Sequence, residues 1–142
     1  MPEIFICESD EQIQSCYEVM AQLRPHLAQD EFVGVVRRLQ QDQGYMLVGL
    51  SDKGVVKAAL GIRVGESLAW GKYVYIDDLV TDSNLRSSGF GQALFNWAEK
   101  FAKEQNYPEL HLDSGVQRHD AHRFYLRERM DIVFYHFKKL IK

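Results

Sequence analysis

The chain has 142 residues, 46% of them hydrophobic and 26% charged, which is typical of one soluble globular domain and unlike a disordered segment. No run of about 18 apolar residues predicts a membrane span, and residues 1–4 do not resemble the start of a signal peptide. The formal net charge of -3 comes without a basic stripe, which argues against a nucleic-acid partner.

The N-terminal third predicts one strand followed by two helices. Residues 3–7 are β-branched and aromatic, as in a strand. Ser9 followed by Gln12 forms a capping-box pattern that begins a helix, and Pro25 is expected to end it. Apolar residues at helical spacing predict a second helix over 29–42.

The next part of the chain changes to the period of strands. Apolar runs at 45–50, 55–64 and 72–81 each predict a strand. Residues 52–54, Asp-Lys-Gly, are a hairpin signal between the first two strands. We therefore expect an antiparallel meander of three strands.

The C-terminal part predicts helix, strand, helix and strand. An apolar stripe over 93–102 indicates a helix, 109–113 a short strand, 118–128 a helix and 132–137 a last strand. The order β-α-α-β-β-β-α-β-α-β predicts a mixed α/β (α+β) sheet in one domain, residues 1–142. If the last strand is an exposed edge, it could pair two chains, so a homodimer stays open.

The cysteines do not predict a disulfide, and the histidines do not predict a metal site. Cys7 and Cys16 lack Cys-x-x-Cys spacing and are expected to be two reduced thiols in a cytoplasmic chain. His119, Asp120 and His122 are close in sequence, but no second pair of ligands stands at a diagnostic spacing. We interpret them as solvated helix residues and expect no metal.

The segment after residue 81 carries the most specific chemical signal. A predicted strand runs into a turn, and a helix begins around Gly89 and Gly91, with Arg86 just before them. Exposed amides and the positive end of the helix dipole make such a start suitable for a pyrophosphate. No Lys follows as in a P-loop, and Leu94 replaces the third glycine of a dinucleotide fingerprint. The alternative is a tight turn that only packs the helix on the sheet.

Two motifs resemble the GNAT superfamily of N-acetyltransferases. Arg86-x-x-Gly89-x-Gly91 after an apolar strand is similar to its acetyl-CoA loop, and the predicted element order matches its fold. Residues 118–125 resemble its late helix, in which Phe-Tyr closes over the thioester, especially in the branch that holds aminoalkylphosphonate N-acetyltransferase. Arg129 stands where the family has glycine, which costs about 1 kcal/mol if the left-handed turn is kept.

The resemblance implies an acetyl-CoA-dependent N-acetyltransferase. It implies direct attack by the primary amine of a small molecule, with a backbone amide near Leu79 or Val80 polarising the thioester carbonyl. The same fold also allows a non-catalytic acyl-CoA sensor or regulatory module. The residues implied to bind acetyl-CoA are Leu79, Val80, Thr81, Arg86, Ser87, Ser88, Gly89, Phe90, Gly91, Gln92 and Ser114.

Three residues are candidates for proton transfer. Tyr125 is implied to protonate the leaving thiolate, and its alternative is a packed core tyrosine. Asp77 or Asp78 is implied to take the ammonium proton; their alternative is a solvated strand end. Because adjacent strand residues point to opposite sides, we expect only one in the cleft, and we favour Asp77. Three aromatic residues either line an amine pocket or belong to the core or the sheet surface: Trp70, Tyr73 and Tyr75.

Overall fold

A computed structural model describes residues 1–86 and 88–141. The strands in these residues are β1 (Glu3–Ile6), β2 (Met46–Asp52), β3 (Val55–Ser67), β4 (Gly71–Thr81) and β5 (Glu109–Leu112). The α-helices are α1 (Asp10–Ser15), α2 (Tyr17–Leu23), α3 (Phe32–Gln43), α4 (Phe90–Glu104) and α5 (His119–Arg127). A short 3₁₀ helix covers Ser83–Leu85, directly after β4.

The five strands form one sheet in the order β1-β2-β3-β4-β5. The first four pair antiparallel with their neighbours, which confirms the predicted meander. Helix α4 connects β4 to the neighbouring β5, the kind of crossover that parallel neighbours need, so the sheet is mixed.

Helices cover both faces of the sheet. Leu47, Ala59 and Val80 belong to a core cluster with side chains of α1, α2 and α3. Strand residues that alternate with these three point to the opposite face, where α4 packs on β3 and β4. Helix α4 buries Leu94, Phe95, Ala98 and Ala102. The two apolar faces of the sheet are therefore both used, as expected for a mixed α/β domain.

The chain divides into two compact units, Met1–His111 and Leu112–Lys142. The first unit contains β1 to β4 and the helices α1 to α4, and the second contains α5. No helix in the described ranges is long and apolar enough to cross a membrane.

The first predicted helix is two helices. The capping box is present, because Ser9 accepts from the Gln12 amide while the Gln12 side chain accepts from the Ser9 amide. The helix does not continue to Pro25, since Cys16 separates α1 from α2. The Cys16 amide bonds to Ile13 and Gln14, tighter than the four-residue step of an α-helix, and this interrupts the regular winding.

The predicted last strand over 132–137 is wrong. Among the described residues that follow α5, none belongs to a strand. A strand needs a neighbouring ladder for its backbone groups, and apolar, β-branched composition alone does not supply one. Side chains such as Val133, Tyr135 and Phe137 are accordingly exposed. His136 Nδ1 lies 3.3 Å from Asp113 Oδ2, which is a side-chain contact and not strand pairing.

Helix α5 ends in a left-handed turn without a glycine. Arg129 has a φ of +66°. Its amide donates to the Leu126 carbonyl, and the Met130 amide donates to the Tyr125 carbonyl, which together form a Schellman motif. The turn expected from the resemblance is therefore kept, and Arg129 carries its conformational cost.

We predict that Arg129→Gly raises the free energy of unfolding by about 1 kcal/mol, because glycine adopts a positive φ without a Cβ clash. Urea unfolding would measure this change. Arg127→Gly is the matched control inside α5, where glycine should lower stability by about 1 kcal/mol. Equal effects at the two positions would contradict the left-handed turn.

Candidate active site

The two adjacent aspartates lie at a β-bulge in β4. Gly61 of β3 pairs with Asp78 and Ile62 pairs with Ile76, so Asp77 is an extra residue without a partner in the register. A bulge of this kind locally breaks the alternation of side chains along a strand. This interrupts β4 at the two residues for which the sequence predicted a role in proton transfer.

Asp77 is held by Arg63 of β3. Arg63 Nε lies 2.5 Å from Asp77 Oδ2, and Arg63 Nη2 lies 2.9 Å from Asp77 Oδ1, so the ion pair is bidentate. The guanidinium also lies over the Tyr75 ring, 5.3 Å from its centroid. Hydrogen bonding to Asp77 raises the pKa of Arg63, which therefore stays charged.

Asp78 is held by two residues that the sequence analysis did not identify. Arg24, at the C-cap of α2, donates from Nε to Asp78 Oδ1 at 2.9 Å and from Nη2 to the Asp77 carbonyl at 2.9 Å. The Tyr45 hydroxyl donates to Asp78 Oδ2 at 2.7 Å. Burial, followed by the charge of Asp78, raises the pKa of Tyr45 well above its usual value. Tyr45 is therefore protonated and can only donate to the carboxylate.

Both carboxylates lie on the same face of the sheet, so the expectation that they face opposite sides is wrong. A Cβ on Gly61 would meet the Tyr45 hydroxyl and Asp78 Oδ2, which places Asp78 over the face that Gly61 shares with Arg63. Arg63 binds Asp77, so Asp77 turns to that face as well. The extra residue of the bulge accounts for the difference from a regular strand.

The helix after β4 begins as the sequence predicted. Gly89 has a φ of +83° and precedes the first residue of α4 without providing a side-chain cap. The amides of the first helical turn have no partner within the helix and point out of its N-terminus. Gly91 lies close to β4, since a Cβ there would be 3.2 Å from Thr81 Oγ1. Both glycines therefore have a geometric reason to be glycine.

The turn before this helix is held by its own side-chain cap and by a contact with α2. Asp82 accepts from the Asn84 amide at 3.0 Å and so caps the 3₁₀ helix. The Ser83 amide donates to Gln22 Oε1 of α2 at 2.8 Å. Arg86 and Ser88 are exposed, and Ser87, also predicted to bind the cofactor, lies outside the described residues. The described turn thus presents a positive side chain and the amides of a helix start on the same short segment.

Strand β5 is too short to pair with the whole of β4. It has four residues and β4 has eleven. His111 of β5 stacks on Trp70 with 3.9 Å between ring centroids, and Tyr73 lies edge-on to both rings. These ring contacts lie at the beginning of β4, whereas Leu79 and Val80 lie near its end.

These aromatic contacts also bear on the predicted amine pocket. Trp70 and Tyr73 form one cluster with His111, whose Nε2 lies 2.8 Å from Glu109 Oε1. The cluster is a packed feature at the beginning of β4, several residues from the bulge at Asp77. The pocket that the sequence suggested for these aromatics stays a prediction.

The second unit carries Tyr125 on α5. Its ring lies edge-on to Phe124, with 5.6 Å between centroids. Burial raises the pKa of Tyr125, and the positive charge of Arg118 partly opposes this shift. The phenol is therefore protonated at neutral pH. Ser114, the remaining predicted cofactor residue, is half-buried in the same unit.

The histidines near the start of α5 have protein partners. His122 Nε2 lies 2.8 Å from the Gly115 carbonyl, and Asp120 pairs with Arg123 at 2.9 Å. Within residues 1–86 and 88–141, no three His, Cys, Asp or Glu side chains are grouped so that they could hold a metal ion.

The chain matches the sequence model of the acetyltransferase (GNAT) family over residues 10–130. It is 33% identical over 117 residues to an uncharacterized N-acetyltransferase, YhdJ, of Bacillus subtilis (strain 168), and the match covers 82% of both chains. It is also 35% identical over 66 residues to aminoalkylphosphonate N-acetyltransferase of Salmonella typhimurium, which covers 46% of this chain and 43% of that relative.

The fold is similar to that of solved N-acetyltransferases. The crystal structure of glucosamine-6-phosphate N-acetyltransferase from Arabidopsis thaliana matches with a TM-score of 0.78 and 19% sequence identity. The match covers 100% of this chain and 99% of that chain. The likeness concerns the fold alone, and it confirms the predicted fold class.

We predict that Gly61→Ala lowers the free energy of unfolding by about 1–3 kcal/mol, because its Cβ would collide with Tyr45 and Asp78. Urea unfolding would measure the loss. Gly34→Ala is the matched control, since no atom lies within 4 Å of its added Cβ in α3. That change should raise stability by about 0.5–1 kcal/mol. An unaffected Gly61→Ala variant would contradict the packing around Asp78.

Proposed function

The chain belongs to the acetyltransferase (GNAT) family, and we propose that it transfers the acetyl group of acetyl-CoA to the primary amine of a small molecule. Its relatives confirm the resemblance and the enzyme class, since two of them are N-acetyltransferases. The amine and the route of transfer are proposals. The observation that carries them is the start of α4, which opens on Gly89 directly after β4 and its short turn.

The pyrophosphate of acetyl-CoA is proposed to bind at this helix start. The amides in the first turn of α4 have no partner within the helix and supply donors, and the helix dipole adds a partial positive charge. Arg86 adds a full charge. The other residues proposed to bind the cofactor, on the strength of the resemblance, are Leu79, Val80, Thr81, Ser87, Ser88, Phe90, Gln92 and Ser114.

We propose that the amine attacks the thioester directly. A backbone amide of Leu79 or Val80, which lie near the end of β4 shortly before the turn that leads to α4, would polarise the carbonyl. An acyl-enzyme would need an accessible nucleophile. Cys7 and Cys16 are both buried in the core cluster, which supports direct transfer over a route through a cysteine.

Asp77 or Asp78 is proposed to accept the ammonium proton, directly or through water. Each carboxylate forms an ion pair with an arginine, so it would lose part of that ion pair when it takes up a proton. Asp77 is 27% exposed and Asp78 15%. Arg63 binds the Asp77 carboxylate, whereas the Asp78 carboxylate accepts from both Arg24 and Tyr45. We therefore favour Asp77 as the acceptor.

Tyr125 is proposed to protonate the thiolate that leaves when the acetyl group departs. A phenol kept protonated by burial is a suitable acid, because the proton is present at the start of the step. Its position in the resembled motif, directly after Phe124, supports the assignment.

The first test of this proposal is binding. Acetyl-CoA at about 100 times its dissociation constant should stabilise the protein by roughly 2.7 kcal/mol, which is a rise of about 5–10 °C in Tm. Differential scanning fluorimetry would measure the shift. Gly89→Val should abolish it, because a β-branched residue is strained at this φ and would distort the turn from which the helix begins.

Gly71→Val is the matched control for that variant. Gly71 also has a positive φ, +73°, but it lies at the opposite end of β4. The control should lose similar stability and keep the acetyl-CoA shift. A wild-type protein that shows no shift with saturating acetyl-CoA would refute the proposed function.

The second test concerns the acid. Tyr125→Phe keeps the ring and removes the proton donor, so turnover should fall roughly 10²–10⁴-fold while the Kd for acetyl-CoA changes little. Acetylation of a panel of polyamines, aminoalkylphosphonates, aminoglycosides and amino acids, followed by thiol release, would measure turnover. Tyr135→Phe is the control on an exposed tyrosine of the same unit and should leave turnover unchanged. Wild-type turnover in Tyr125→Phe would return this residue to a packing role.

A further inference from the structure

Two thiols that the proposed reaction does not use are in contact inside the first unit. Cys7 Sγ and Cys16 Sγ lie 3.7 Å apart. Cys7 is 3% exposed and Cys16 is 0% exposed. Both are free thiols in the structure, as the sequence analysis expected. Such a separation is van der Waals contact between the two sulfur atoms, so each thiol is already the neighbour of the other.

The two thiols connect different elements. Cys7 directly follows the edge strand β1, and its amide donates to the Leu47 carbonyl of β2 at 2.8 Å. Cys16 is the single residue between α1 and α2. A bond between the sulfur atoms would therefore join the end of the edge strand to the break between two helices.

We propose that Cys7 and Cys16 are a site of oxidative modification, at which a hydroperoxide converts the two thiols into an intramolecular disulfide. The sulfur atoms must approach from contact to a bond of about 2.0 Å. The segment that joins them contains the capping-box turn, so the new bond would close a short loop.

The reaction balances with the hydroperoxide as the only co-reactant. The Cys16 thiolate attacks one peroxide oxygen and becomes a sulfenic acid, and the other oxygen leaves and is protonated to water when the oxidant is hydrogen peroxide. The Cys7 sulfur then attacks the Cys16 sulfur, and the hydroxide that leaves takes up a proton to give a second water. The two thiols together lose two protons and two electrons, and the peroxide gains them.

The pair is asymmetric in a way that fits this order of steps. The hydrogen-bonding contact with Cys7 lowers the pKa of Cys16, although burial opposes the shift. The same interaction and burial raise the pKa of Cys7. Cys16 therefore becomes the thiolate first, and Cys7 resolves the sulfenic acid.

Buried thiols meet an oxidant only when the surrounding structure opens locally. Strand β1 has four residues, and most of them are exposed at the edge of the sheet. Arg37 of α3 holds the following turn closed, since Nη2 donates to the Glu8 carbonyl at 2.9 Å and to Asp10 Oδ1 at 2.8 Å. Opening of β1 and this turn is the proposed route of access to the thiols.

The proposal is tested by treating the full chain with hydrogen peroxide, unfolding it in iodoacetamide and measuring its intact mass. We expect a mass lower by about 2 Da and no alkylation, and two alkylated cysteines after reduction with dithiothreitol. Digestion after glutamate should yield the two cysteines on separate peptides joined by a disulfide, because Glu8 and Glu11 lie between them. This peptide identifies the bond in the native sequence, so it does not depend on whether Cys7→Ser or Cys16→Ser folds.

Arg37→Gln tests the route of access. Loss of its ion pair and carbonyl contact should speed disulfide formation roughly 3–10-fold. Arg123→Gln is the control, since it removes an exposed ion pair in the second unit and should leave the rate unchanged. Two alkylatable cysteines after peroxide, a product that has gained oxygen without the disulfide, or a disulfide between two chains would each overturn the proposal. An unchanged rate in Arg37→Gln would overturn the route.

Discussion

The pairing of Asp77 and Asp78 with two arginines is the interaction on which the bulge of β4 depends. Two adjacent carboxylates on one face of a sheet repel each other, and partial burial adds a desolvation cost. Arg63 reaches them from β3 and Arg24 from the end of α2, so each charge has its own partner. The compensation fixes the bulge, because Arg24 also binds the carbonyl of its extra residue, Asp77.

The ion pairs of Asp77 and Asp78 depend on the conformation of residues in distant parts of the first unit. Pro25 disfavours a helical conformation for the residue before it, and Arg24 accordingly leaves α2 with a φ of −123° and a ψ of 71°. This backbone conformation places the Arg24 guanidinium at the bulge. On β3, Gly61 leaves the space in which the Tyr45 hydroxyl meets Asp78. Pro25 therefore helps to direct Arg24 to the bulge, and Gly61 leaves space for the contact between Tyr45 and Asp78.

The parts of the structure that the sequence predicted well are those that local rules determine. The capping box at Ser9 and the glycine start of α4 each depend on residues a few positions apart. The arginine partners could not be found in this way, because Arg24 is 54 residues from Asp78 and no local pattern joins them. The bulge was missed for the same reason, since an extra residue is visible only against the register of the neighbouring strand. The segment over 132–137 has the composition of a strand, but pairing is a property of two segments.

In the proposed reaction, the cofactor site depends on local sequence, whereas the proton-accepting site depends on residues that are distant in the sequence. The cofactor side consists mainly of backbone amides, whose direction follows from a strand, a turn and a helix start, so many side chains are compatible with it. The proton-accepting side consists of side-chain charges brought together from α2, β3 and β4. A substitution there changes a whole network, because a carboxylate that loses its arginine is left partly buried and unpaired. In the proposed reaction, the choice of amine should therefore depend on residues that are far apart in the sequence, while binding of acetyl-CoA should depend mainly on the short segment at the start of α4.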